Sequence, residues 1–153
     1  MKAELIELLK GGSAHVSILK VFENVKPEIR NRVAEGTKDG KTLWQLLEHM
    51  RIAQEDIIRY TFDEGWESPV FPDGYWPQIK ECTDVQWNTS LNSFRGDLEY
   101  LIKFINSADF DLTTHIPHGE GRSYLREILL VADHNTYHAA QAVDIIKRLG
   151  DWN

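Results

Sequence analysis

Cysteine is almost missing from this chain. Cys82 is its sole thiol, so no intramolecular disulfide can form. That usage suits a reducing compartment and leaves no thiolate cage for a structural zinc. Long apolar runs are missing as well: no stretch approaches the ~18 consecutive apolar residues of a membrane-crossing helix. The start, MKAELIELLKGG, carries Lys2, Glu4, Glu7 and Lys10 where a secretory signal would have an uncharged apolar core. Basic excess is absent too. The 24 acidic residues outnumber the 17 basic ones, giving a net charge of −7, and no dense Lys/Arg stripe offsets it. Such a surface repels a phosphate backbone, so nucleic acid is excluded as a partner. A soluble cytoplasmic protein without a membrane partner is the expectation.

Proline is scarce outside loops: Pro69, Pro72 and Pro77 share one segment, and Pro27 and Pro117 fall in two other polar stretches. With 42% hydrophobic and 27% charged residues the chain is neither disordered nor fibrous, and its 153 residues fit one domain over 1–153. Apolar residues recur at helical spacing in four segments. The first, about Lys2 to Glu23, carries Leu5, Leu8, Leu9, Val16, Leu19 and Phe22, and is interrupted by Gly11 and Gly12. A polar stretch follows from Pro27 to Gly40. Thr42, with Gln45 three positions on, forms a capping-box pattern that opens the second helix, which runs to about Phe62.

Asp63 to Cys82 reads as a loop full of breakers and aromatics, Trp66, Phe71, Tyr75 and Trp76 among them. These rings suit either a cover over one end of a bundle or a lid or oligomer contact. Thr83 or Asp84 caps a third helix, whose seam Trp87, Leu91, Phe94, Leu98, Leu101, Ile105 alternates steps of four and three. A second irregular stretch spans Ser107 to Arg122, and its Asp111–Ile116 part has the pattern of a short strand. Ser123 caps a fourth helix reaching Gly150. Four such segments with two long loops predict an all-α, four-helix bundle.

The chemistry concentrates in histidine. HNTYH places His134 and His138 four residues apart on the fourth helix, so both rings leave one face. The line Val131, His134, His138, Gln141, Ile145 follows the stepping of a core seam, as does Leu46, His49, Ala53, Tyr60 on the second helix. Three inward imidazoles need partners, because an unsatisfied buried polar group costs about 1–3 kcal/mol. Each ring could find its own hydrogen bond. A pair at helical spacing plus a third ring on a second seam points instead to one transition metal bound by His49, His134 and His138. Three neutral ligands leave a position open, where a bound water has its pKa lowered to about 7 or a thiol binds as thiolate.

HNTYH is not the protease motif HExxH, because Asn135 stands where the glutamate base belongs. Gln141 is placed to orient a ligand or fix an imidazole, and Asp56 to accept a hydrogen bond from His49, although both are ordinary helix residues elsewhere. His15 could face inward from the first helix, and is expected as a satisfied core or boundary histidine. His115 and His118 flank Pro117 and are expected to be exposed, with His118 a reserve acid or base.

TLWQLLEHM, IPHGEGRSYLREIL and ADHNTYHAAQ, in that order, together resemble the DinB/YfiT-like family of metal-binding four-helix bundles over nearly the whole chain. The resemblance implies an up-down-down-up bundle, ligation by His49, His134 and His138, a divalent ion such as nickel or zinc, and a homodimer. It also implies a metal-dependent thiol S-transferase or related enzyme, using a low-molecular-weight thiol on a small electrophilic substrate. A non-catalytic metal- or ligand-binding dimer, tied to stress responses, is the alternative. No motif here matches a particular thiol cofactor.

Overall fold

Five α-helices carry the fold in the computed structural model, which describes residues 1–34 and 40–152. They are α1 (Lys2–Lys10), α2 (Ile18–Glu23), α3 (Leu43–Phe62), α4 (Asp84–Ser107) and α5 (Tyr124–Arg148). The chain is all-helical, with no strand among the described residues. The segment expected as one helix from Lys2 to Glu23 is two, because Gly11 and Gly12 take positive φ (63° and 101°) and break it. A Cβ at Gly11 would lie 2.7 Å from the His15 ring, so the crook closes only on glycine. Residues 35–39 of the polar stretch lie outside the described residues. The rest of it contains a 3-10 turn, Pro27–Ile29, whose Ile29 is buried with Val25 and Ala34.

Three caps set the long helices. Thr42 and Gln45 form a reciprocal capping box at α3, and Thr83 and Gln86 form another at α4. Ser123 accepts from the Arg126 amide to open α5. The α4 seam is buried throughout, from Trp87 to Ile105. On α5 the buried stripe runs through Ile128, Val131, Ala132, Ala139, Ala142 and Ile146. Gln141 and Leu129 lie outside that stripe, exposed.

Side-chain pairings give the directions. Glu48 meets Ser90 and Phe62 meets Phe104, so α3 and α4 run parallel. His49 meets His138 and Gln54 meets Asn135, so α5 runs antiparallel to α3. Lys2 bonds the Ala108 carbonyl while Phe22 packs on Trp87, so α1 and α2 run antiparallel to α4. Taking α1 and α2 as one broken rod, the order is up, down, down, up. One apolar cluster gathers α2 with Leu43, Leu47, Met50, Trp87, Phe94 and Ile146. The other gathers α1 with Ile58, Leu98, Leu101, Ile105 and Ile128.

Because α3 and α4 are parallel, residues 63–83 must travel back along the bundle. Trp66 touches Asp56, Tyr75 touches His49 and the Ile79 carbonyl takes the Trp44 indole N–H, so the connection climbs back along α3 against its direction. The strand pattern at Asp111–Ile116 is not realised. Only a single antiparallel bridge joins His115 to Ser123, and Leu112 and Ile116 are buried.

Candidate metal centre

The core seams of α3 and α5 bring His49, in the N-terminal half of α3, together with His134 and His138. One nitrogen from each lies within 4.8 Å of the other two. His49 Nε2 is 3.0 Å from His138 Nε2 and 3.2 Å from His134 Nε2. His49 and His138 are both 8% exposed, so water does little to solvate these rings.

The back sides of two rings decide what the front sides are. His49 Nδ1 lies 2.7 Å from the Tyr75 carbonyl, which can only accept, so that nitrogen carries the hydrogen. His138 Nδ1 lies 2.8 Å from Gln141 Oε1, again an acceptor. Both neutral rings therefore turn a bare Nε2 lone pair inward, 3.0 Å apart. Two lone pairs at that distance repel unless a positive centre sits between them. His134 adds a third nitrogen, and its buried Nδ1 has no hydrogen-bond partner. Zinc–imidazole bonds of ~2.0–2.1 Å would set nitrogens roughly 2.9 Å apart at a right angle and roughly 3.4 Å at the tetrahedral angle. The observed 3.0 and 3.2 Å fall in that interval. The donor set fits a divalent ion.

Burial keeps the donors neutral. Desolvation, then the neighbouring His138 and His49 charges, lowers the His134 pKa to about 4, and the Asn135 side chain offsets little of it. Desolvation likewise lowers His49 and His138, opposed by the Tyr75 carbonyl at the first and by Gln141 at the second. Unprotonated imidazole is the form that binds metal.

The aromatic loop supplies a wall. Trp76 stacks on His49 with centroids 4.0 Å apart and planes at 6°, and lies edge-on to His138. The Lys41 ammonium sits 4.5 Å from the centroid of this indole. Tyr137 meets His138 edge-on at 4.9 Å. The loop thus covers a flank of the bundle rather than an end, while Val70 and Phe71 at its tip are more than four-fifths exposed, at 82% and 83%.

The other candidates sort themselves. Gln141 fixes an imidazole, one of the two roles expected of it. Asp56 is not an acceptor for His49, whose Nδ1 hydrogen goes to the Tyr75 carbonyl; the Asp56 oxygens accept from Trp66 and Tyr75 instead. His15 is exposed in the crook and bonds the Val16 carbonyl, so the core or boundary position expected for it is wrong. His118 is half-buried instead of exposed, bonded to the Tyr60 carbonyl at 2.7 Å, which staples the second loop to the end of α3. His115 is exposed. The buried Asn135 amide nitrogen donates to Gln54 in the core. Missed from sequence were the Tyr75 carbonyl, since any residue offers one, and the Trp76 stack, whose only signal was the aromatic pair itself.

A comparison with family models settles the kinship: the DinB superfamily model matches residues 14–142. The chain belongs to the DinB superfamily. Comparisons with curated proteins and with solved structures give no match. The matched span runs from the crook before α2 to the buried part of α5, and so contains all three histidines of the DinB bundle described here. No helix among the described residues is long and apolar enough to cross a membrane.

Proposed function

We propose that this DinB protein binds one divalent ion, nickel or zinc, through His49, His134 and His138, and uses it in a metal-dependent reaction on a small molecule. The reaction class that fits best is transfer of a low-molecular-weight thiol to an electrophilic substrate. The observation that carries the reading is the inward pair of Nε2 atoms 3.0 Å apart, with the Tyr75 carbonyl behind one ring and Gln141 Oε1 behind the other. A bound ion supplies Lewis acidity that favours a deprotonated thiol or water at neutral pH. The chain's own residues do the rest. The Tyr75 carbonyl and Gln141 hold the hydrogens of His49 and His138 on Nδ1. Trp76 and Tyr137 shield the rings from water. No carboxylate belongs to the triad, so three neutral ligands leave the ion's charge free to act on a bound anion.

Elemental analysis of protein purified without an affinity tag tests the binding step. About one equivalent of metal is expected, and a His134→Ala variant is expected to lose it. Wild-type protein that takes up neither nickel nor zinc at equilibrium overturns the reading. Adding cysteine or glutathione to the cobalt-substituted protein then tests the thiol step. New thiolate-to-cobalt charge-transfer bands support transfer chemistry, and an unchanged spectrum at saturating thiol argues for a binding protein.

A further inference from the structure

Asp56 stands seven residues after His49 on α3, two turns along the same face. Its carboxylate is spent wholly on the crossing loop. Trp66 Nε1 donates to Oδ1 at 2.8 Å and the Tyr75 hydroxyl donates to Oδ2 at 2.7 Å. Tyr75 therefore faces two ways, with its side chain on Asp56 and its carbonyl on His49 Nδ1 at 2.7 Å. The next residue, Trp76, lies flat on the same imidazole.

We propose that Asp56 is a positioning residue for the triad. By clasping Trp66 and Tyr75 it holds the Tyr75 carbonyl and the Trp76 ring against His49, and so keeps Nε2 of that ring unprotonated and turned toward His134 and His138. The inference rests on the metal-binding reading above and deepens it. Metal-ligating histidines ordinarily give their second N–H straight to a carboxylate or carbonyl. Here the carboxylate acts one step back, through a loop. A carbonyl on a loop freed from Asp56 would no longer select one tautomer of His49, since one hydrogen bond decides which nitrogen carries the hydrogen. The Arg59 guanidinium, 5.0 Å over the Trp66 ring, braces the same end of the loop.

The test is cobalt(II) titration of wild type, Asp56→Ala, Tyr75→Phe and the double variant, all without affinity tags. Alanine is chosen over asparagine because an amide could still accept from Trp66 and donate to the Tyr75 oxygen. Asp56→Ala is expected to weaken cobalt binding roughly tenfold and Tyr75→Phe less, in the same direction. The double variant is expected to be no weaker than Asp56→Ala, because both changes cut one clasp. Long-range proton–nitrogen NMR of the metal-free protein gives a second readout. Wild-type His49 is expected to be protonated at Nδ1 alone and the variants to show mixed tautomers, a change that a merely structural role for Asp56 would not produce. Variants that bind cobalt like wild type with His49 unchanged overturn the proposal, as does full additivity in the double. Should Asp56→Ala not fold, Tyr75→Phe decides by the same two readouts. A wild type that binds no cobalt sinks the metal reading instead, and the tautomer measurement still judges the clasp.

Discussion

His134 differs from its two partners at Nδ1. His49 and His138 each spend Nδ1 on an oxygen, whereas Nδ1 of His134 is buried and unpaired. Burial, and then the charges of His138 and His49, makes that imidazole hard to protonate, with a pKa of about 4 against an ordinary 6.5. The unfolded chain takes up this proton near 6.5, while the folded one refuses it until about 4, so acid favours unfolding within that window. The metal-free protein is therefore expected to have its full stability above pH 6.5 and to lose part of it as pH falls toward 4. Denaturant midpoints of wild type and His134→Gln at several pH values check this. The wild-type midpoint should fall more steeply than the variant's, and parallel slopes would show that His134 is not responsible.

At the scale of elements, α3, α4 and α5 are locked in register by two buried amides. Gln54 donates to the Phe94 carbonyl at 2.8 Å, and Asn135 donates to Gln54 Oε1 at 2.8 Å. Gln54 is fully buried and Asn135 nearly so. Asn135→Ala leaves the Gln54 oxygen unpaired, at an expected cost of about 1–3 kcal/mol. Equilibrium unfolding measures that loss, and a change within about 0.5 kcal/mol would deny the pair this role. These elements were largely legible in the sequence. The Thr42 cap and the α4 seam mark their helices plainly, since capping and periodicity are local properties. The amide tie was not legible, because Gln54 and Asn135 look like any polar residues until two helices meet. The break after Lys10 was half legible. Gly11 and Gly12 flagged it, but the positive φ that makes it a full stop is one of several conformations open to glycine and shows only in the folded chain.

For the whole molecule, the triad joins the second helical rod of the sequence to the last, so a ligand bound there stabilises the folded state as a unit. Saturation at about 100 times Kd is expected to add about 2.7 kcal/mol, and a chelator to remove it. Calorimetry with and without chelator checks this, and His134→Ala should be insensitive to chelator. The three histidines could be chosen from sequence because core stepping on two segments aimed them inward. What surrounds them could not, for a reason of topology: the contacts come from a segment without periodicity, laid down by the direction of its neighbours. Tyr75 and Trp76 reach His49 because the chain, having descended along α3, must climb back before descending again as α4. A bundle of alternating up-and-down rods, closed by hairpins of a few residues, could copy all three imidazoles and still lack any roof above them. Grafting this trio into such a scaffold would transplant the ligands and leave behind the strap that aims one of them.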